Sequence, residues 1–247
     1  GVESVLAKVG LLLLVGGMAG SASALFLWLL DWAIRMQFAH GWLLFCLPLA
    51  GAVIGWVYSR YGRPTEGGNN LILDEIHAAG GRVPKRMAPL ILWATVMTHL
   101  FGGSAGREGT AVQMGGSLAS AVSQWFRLDA ATRRLLLISG VAAGFGSVFG
   151  APFAGAVFAV EVLAIGQLQV SALIPALLAS LTADHVCLAW GIKHNVYSVG
   201  PAYPLLDGVL LLKAAVAGVA FGMAGRLFAQ SMAVVEEKSK ERIRSAL

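Results

Sequence analysis

Between Val9 and Leu30 the chain runs for a full bilayer width without one charged side chain. A helix rises about 1.5 Å per residue, so roughly 20 mostly apolar residues carry it across the hydrocarbon core. Five more largely apolar windows follow: Gly41–Val57, Ala88–Gly102, Leu135–Phe149, Val170–Trp190 and Leu205–Phe228. With 57% hydrophobic and 13% charged residues, the chain has about half the charged share of a soluble domain. The expected fold class is therefore all-α, a polytopic membrane protein. Several windows are short and broken by glycine, which predicts helices that enter the bilayer without crossing it, sheltered by protein or by a watery cavity. The 31 glycines fit such packing, because helices in lipid associate through close backbone approach at small residues.

The net charge of +5 does not point to nucleic acid, since the basic residues flank apolar windows and form no stripe with aromatics. They fall in four clusters: Arg60 with Arg63; Arg82, Lys85 and Arg86; Arg127, Arg133 and Arg134; and the terminal EEKSKERIRSAL. The positive-inside rule assigns all four to the cytoplasm. Cys46 and Cys187 lack metal-type spacing and read as core residues. The first window is too long for a signal peptide and lacks its cleavage site, so it is expected to be a retained helix. No low-complexity linker divides the chain, and one transmembrane domain over 1–247 is expected.

The expected helices cover about 5–35 and 41–59, a short one with its amino end at Gly68 to Asn70, about 86–101, 132–147, one with Pro152 in its first turn, 170–190 and 205–237. An asparagine is expected to cap the short helix. In GGSAGREGTAVQMGG the glycines should break the chain inside the membrane before a new helix starts near Glu108 or Gly109.

Glu108 carries most weight, because an ionisable side chain at membrane depth is costly and marks an ion or proton path. The free N–H groups of a helix start attract anions, including the Glu108 carboxylate itself. A transported anion would compete with it, and protonation would end the competition. The plainer alternative is that Glu108 caps its own helix or pairs with Arg107. Gly67 to Leu71 is a second broken start, aimed from the cytoplasmic side and opposed to the first, as in transporters with midplane sites; a simple capped turn would explain it equally. Glu161 reads as an interfacial carboxylate bonded to a neighbouring helix end, with proton relay as the alternative. Asp31, Asp184, His99 and His185 are expected to anchor or hydrogen-bond near helix ends. Gly144, Phe145, Gly146, Phe149, Gly150 and Phe153 suit either an apolar path lining or tight packing. There is no GxxxxGK[ST], HExxH or GxSxG motif, so neither an enzyme nor a metal or cofactor site is expected.

Taken together, the motifs resemble the CLC family of chloride channels and proton-coupled anion exchangers. Gly106-Arg107-Glu108-Gly109 is similar to its GREGP motif, Gln113-Met114-Gly115-Gly116 to the following VQIGG, and Gly150 through Gly155 to NAPLAG, in the family's order from about Gly67 to Val162. The departures resemble the fluoride-exporting branch. Gly68-Asn69-Asn70-Leu71-Ile72 stands where most members have GSGIP with its anion-site serine, Thr110 replaces the proline after GREG, and Val162 stands about where chloride exchangers carry an intracellular proton glutamate.

The resemblance implies the first inverted repeat of the CLC fold over about 1–200, then the first helix of the second repeat and a cytoplasmic tail over about 201–247. It implies fluoride/proton antiport, with chloride/proton exchange or a chloride channel as the alternative. Glu108 would be gate and proton carrier, with Gly68, Asn69, Asn70, Leu71, Gly106, Arg107, Gly109 and Thr110 around the anion. The implied partners are fluoride or chloride, protons, membrane lipid and a second copy in a homodimer. A reading of another class is a scaffold or partner half with no transport of its own, because the family's second half supplies part of the site.

Overall fold

The computed structural model describes residues 2–65, 67–78, 83–162, 170–194 and 208–246. Among these the regular elements are all helical, and the chain divides into two compact units, Gly1–His194 and Asn195–Leu247. The first unit contains α1 (Val2–Ala39), α2 (Leu47–Val57), α3 (Asn69–Ala78), α4 (Met87–Leu100), α5 (Arg107–Trp125), α6 (Ala130–Phe149), α7 (Pro152–Val162) and α8 (Leu173–Ala189). The second is described by α9 (Gly208–Ala246), whose stretch Gly208–Ser239 is long and apolar enough to cross a bilayer. The start expected at Leu205 and the cation Arg82 lie outside the described residues.

The first unit is built around α6. Leu136 to Gly144 and Gly146 to Val148 are buried, with α1, α5, α7 and α8 packed around them. The window Leu135–Phe149, expected as a plain span, is thus the protein-facing core of the unit. Among the described residues, the other stretches apolar and long enough to cross are Val5–Ala39, Gly41–His77 and Val170–Ala189, while Met87–Leu100 and Pro152–Glu161 are shorter. A 14-residue α4 extends about 21 Å, less than the hydrocarbon core.

Small residues set the close crossings. A Cβ on Gly115 of α5 would overlap the Gly140 carbonyl of α6, and one on Gly144 would overlap the Ala111 carbonyl. Between α1 and α8 the same holds for Gly20 against Ala183, and a Cβ on Gly16 would stand 2.7 Å from the Ala179 carbonyl oxygen. With backbones this close, dispersion contacts and short polar bonds replace the hydrophobic gain that lipid does not provide. Ser147 of α6 donates to Ala143 O at 2.6 Å, its hydroxyl lies 2.8 Å from Ser23 Oγ of α1, and Ser180 of α8 donates to Ala142 O at 3.0 Å.

Three basic clusters gather at one end of this unit. Arg86 donates to the Tyr61 carbonyl at 3.2 Å, Lys85 lies 5.6 Å from the Trp125 ring, and Arg133 pairs with Glu75 at 3.5 Å. Asp129 caps α6, accepting from the N–H groups of Ala131 and Thr132, both at 3.0 Å. At the other end of α6, Gly150 takes φ +64 and closes the helix; a side chain in that region of φ/ψ space is strained.

Candidate anion site

The break expected in GGSAGREG is present. α4 stops at Leu100, Gly102 turns with φ +77, and the chain runs without regular structure to Gly106, whose extended backbone (φ −71, ψ 132) starts α5 at Arg107. Gly106 has no side chain with which to cap the helix, and no other side chain takes that role. The first-turn N–H groups of α5 are therefore left for another acceptor. Glu108 is exposed, and its Oε2 lies 2.9 Å from where a Cβ on Gly106 would be, so the carboxylate folds back over the helix start. Among the described residues it forms neither a cap nor an ion pair with Arg107.

The second broken start also forms. Gly68 takes φ +54 and α3 begins at Asn69, with the Asn70 N–H donating to Gly67 O at 3.0 Å and the Leu71 N–H to Gly68 O at 3.2 Å. Among the described residues neither Asn69 nor Asn70 makes a side-chain hydrogen bond, so the expected asparagine cap is replaced by backbone turns and both amides stay available.

The two starts are brought together, but not head to head. Asn69 Nδ2 lies 3.9 Å from where a Cβ on Gly109 would be, and the Ile72 side chain reaches within 2.7 Å of the same point on Gly116. Farther on, Glu75 accepts from the Val83 N–H, while the Val83 carbonyl accepts from Ser120 of α5. Contacts advance in the same sense along both helices, so α3 lies beside α5 and runs with it, correcting the opposed arrangement expected from the sequence. Hydrophobic side chains such as Ile72, buried against the small face of α5, fix that direction. Both positive helix ends consequently lie on one side of the site.

The remaining assigned positions divide by what they can offer. Gly68, Gly106 and Gly109 leave the backbone open, and Arg107 is exposed. Leu71 packs against the core, and its backbone N–H is taken by the Gly68 carbonyl. Thr110 is buried, and its hydroxyl is 2.8 Å from Thr95 Oγ1 and donates to Gly106 O at 3.3 Å. Its side chain holds α5 to α4, away from any ligand role.

Other polar residues act locally. His99 and His185 place Nδ1 2.8 Å from the carbonyls of Thr95 and Leu181, and Asp31 pairs with Arg35 at 2.7 Å. Asp184 lies 3.8 Å from His194. Glu161 is exposed on α7, and the expected bond to a neighbouring helix end is not found among the described residues. Phe145 stacks on Phe158 at 4.4 Å and meets Phe149 at a tilt with centroids 4.7 Å apart, whereas Phe153 faces outward.

Two residues were passed over in the sequence. Glu75, 3% exposed, accepts from Val83 N at 3.1 Å and pairs with Arg133; only its amphipathic context in LILDEIH drew notice. Gln113, read as part of a motif, places its amide nitrogen 3.5 Å from a Cβ position on Gly68 and 3.9 Å from that on Gly109.

The chain matches the family model described as voltage gated chloride channel over residues 50–247. A chloride/fluoride channel protein of Pseudomonas syringae pv. tomato is 50% identical over 217 residues, 87% of this chain and 48% of that protein. The H(+)/Cl(−) exchange transporter ClcA of Cronobacter sakazakii is 30% identical over 244 residues, 87% of this chain and 49% of that one. The crystal structure of a CLC-type fluoride/proton antiporter superposes with TM-score 0.83 at 35% identity, covering 90% of this chain and 56% of the other. The chain spans about half the length of the curated relatives it matches.

Proposed function

This chain belongs to the voltage-gated chloride channel (CLC) family of multi-pass membrane proteins, and within it we propose that the chain carries the anion site and proton gate of a fluoride/proton antiporter. The observation that carries the reading is Glu108, held on the uncapped first turn of α5 with its carboxylate bonded to nothing else among the described residues. A carboxylate so placed competes with a transported anion for the same N–H donors, and gaining a proton releases it from them. Anion and proton occupancy are thereby exchanged, and an inward proton gradient drives fluoride outward.

Fluoride is the anion proposed. It is small and strongly hydrated, so a site must replace its water with several closely placed donors. Asn69 brings an amide to the position where most members have serine, and it lies beside the α5 start. The neighbours described as a chloride/fluoride channel protein and a fluoride/proton antiporter support this choice. No enzymatic step or cofactor is part of the proposal. A homodimer is proposed on family likeness, with the outward side chains of α7 and α8, Phe153, Val157 and Ile174, suited to a protein or lipid neighbour.

The test is efflux from liposomes reconstituted with this chain, comparing fluoride with chloride while recording proton uptake, with Glu108→Gln as control. Fluoride efflux coupled to proton uptake, with the coupling lost in Glu108→Gln, is expected. Chloride efflux of equal size overturns the fluoride assignment, and absence of any flux favours the transport-incompetent scaffold.

A further inference from the structure

α1 and α8 run side by side in the same sense, because Gly16 of α1 meets Ala179 of α8 and Gly20 meets Ala183. Carried back about two turns, that register sets Lys8 against Ser171, in the single turn that leads into α8. The two residues line one hollow of about 540 Å³, closed on its other side by Asp129, Arg134 and Leu135 from the start of α6. Val5–Ala39 and Val170–Ala189 are both apolar and long enough to cross a bilayer, and Lys8 and Ser171 lie in their first turns. The hollow therefore sits where these helices enter the hydrocarbon, at headgroup depth. Exposed Trp125, with Lys85 over its ring, marks the same boundary at this basic end of the unit.

We propose that this hollow binds the phosphodiester of an anionic phospholipid, drawn from the leaflet that the positive-inside rule assigns to the cytoplasm. Lys8 brings a mobile ammonium from its exposed position, half-buried Arg134 brings a guanidinium whose planar fork matches phosphate oxygens, and Ser171 brings a hydroxyl donor. Half-buried Leu135 gives the hollow an apolar wall on the side from which an acyl chain descends. Asp129 is the one carboxylate lining the hollow among the described residues. Its charge is engaged in the α6 cap: Oδ1 accepts from the N–H groups of Ala131 and Thr132, and Oδ2 accepts from the Thr132 hydroxyl.

The bilayer presents phosphate at a fixed depth and at high local concentration, which a soluble phosphate does not match. Basic clefts between crossing helices on the cytoplasmic side take anionic headgroups for this reason. A zwitterionic lipid gains less, since its own cation meets Lys8 and Arg134 as a like charge.

The experiment titrates phosphatidylglycerol and phosphatidylcholine onto the full chain in detergent, with bound lipid read by native mass spectrometry, for wild type, Lys8→Gln, Arg134→Gln and Arg60→Gln. Arg60 is an exposed cation outside the hollow, set over the Tyr61 ring, and controls for general surface charge. Wild type is expected to bind phosphatidylglycerol more tightly than phosphatidylcholine. Lys8→Gln and Arg134→Gln should each weaken phosphatidylglycerol about five-fold, the share of one cation at an anionic surface, and Arg60→Gln should leave it unchanged. Thermal unfolding reports the folding of each variant, and exposed Lys8 keeps the site testable if Arg134→Gln fails to fold. Unchanged binding in Lys8→Gln, or equal weakening in Arg60→Gln, overturns the site. Equal affinity for the two lipids overturns the need for an anionic one. Displacement of phosphatidylglycerol by millimolar glycerol phosphate assigns the hollow to a soluble ligand and overturns the lipid. Binding is read without flux, so this proposal and the antiporter reading fail separately.

Discussion

The hydroxyl of Thr110 on α5 lies 2.8 Å from that of Thr95 on α4, and both side chains are buried. This pair joins the two half-helices on either side of the break and fixes the α5 start that presents Glu108. Thr110→Val leaves the Thr95 hydroxyl buried without its partner, at an expected cost of about 1–3 kcal/mol. Replacing both threonines with valine should cost less than that. Thermal unfolding of the three variants in detergent measures it. The fluoride-to-chloride ratio per folded molecule is expected to stay at the wild-type value, and a changed ratio would return the hydroxyl to the anion site.

Glu75 joins α3 to two neighbours at once, accepting from Val83 N and pairing with Arg133. Glu75→Leu removes a carboxylate with a buried side chain and leaves the Val83 N–H and the Arg133 guanidinium without it, an expected loss of roughly 3 kcal/mol. Glu75→Gln keeps an acceptor for Val83 and should retain more stability. Denaturant unfolding of both variants gives the order, and equal losses would show that the acceptor oxygen contributes nothing.

Gly115 and Gly144 bring α5 and α6 into backbone contact. Valine at either site must push the helices apart, with an expected cost of about 3 kcal/mol or failure to fold. Gly51 on α2 has nothing within 4 Å of its Cβ position, so Gly51→Val is expected to stay within about 0.5 kcal/mol of wild type. Melting temperatures of the matched variants test whether the crossing, and not glycine in a helix, is what matters.

Asp129 supplies a pH-dependent cap outside the membrane. Its carboxyl is held below the usual aspartate value, chiefly by the hydrogen bond from the Thr132 hydroxyl and then by the Thr132 N–H. Because the folded pKa lies below the unfolded one, the capping contribution is present above the unfolded pKa of about 4 and disappears as pH falls through the folded value. Hydrogen exchange at the start of α6 should therefore accelerate in acid. Asp129→Ser should cap without that dependence, and an acid response persisting in it would assign the effect elsewhere.

The helical reading survives in detail because it rests on local chemistry. Pro152 opens α7, the glycines between Phe101 and Gly106 end one helix before the next, and Asn69 begins α3. The Glu108 position was legible for the same reason, since a carboxylate beside glycines at a helix start is a local pattern. Gln113 was not, because nothing along the chain says that its amide lies near Gly68, 45 positions earlier. Glu75 was missed for a like reason: its partners Val83 and Arg133 belong to other elements.

The sequence by itself determined that this chain is a set of membrane helices, where they break, and which carboxylate stands at the break, since lengths, glycines and hydropathy act within a few turns of helix. Tertiary structure alone decided that α3 and α5 run side by side, that α6 is the protein-facing core, and that the Thr110 hydroxyl faces Thr95 while the Gln113 amide lies near Gly68. Those outcomes depend on which small surfaces meet. In lipid a gap of one methyl group decides the meeting, because close backbone approach supplies the attraction that exclusion of water supplies elsewhere.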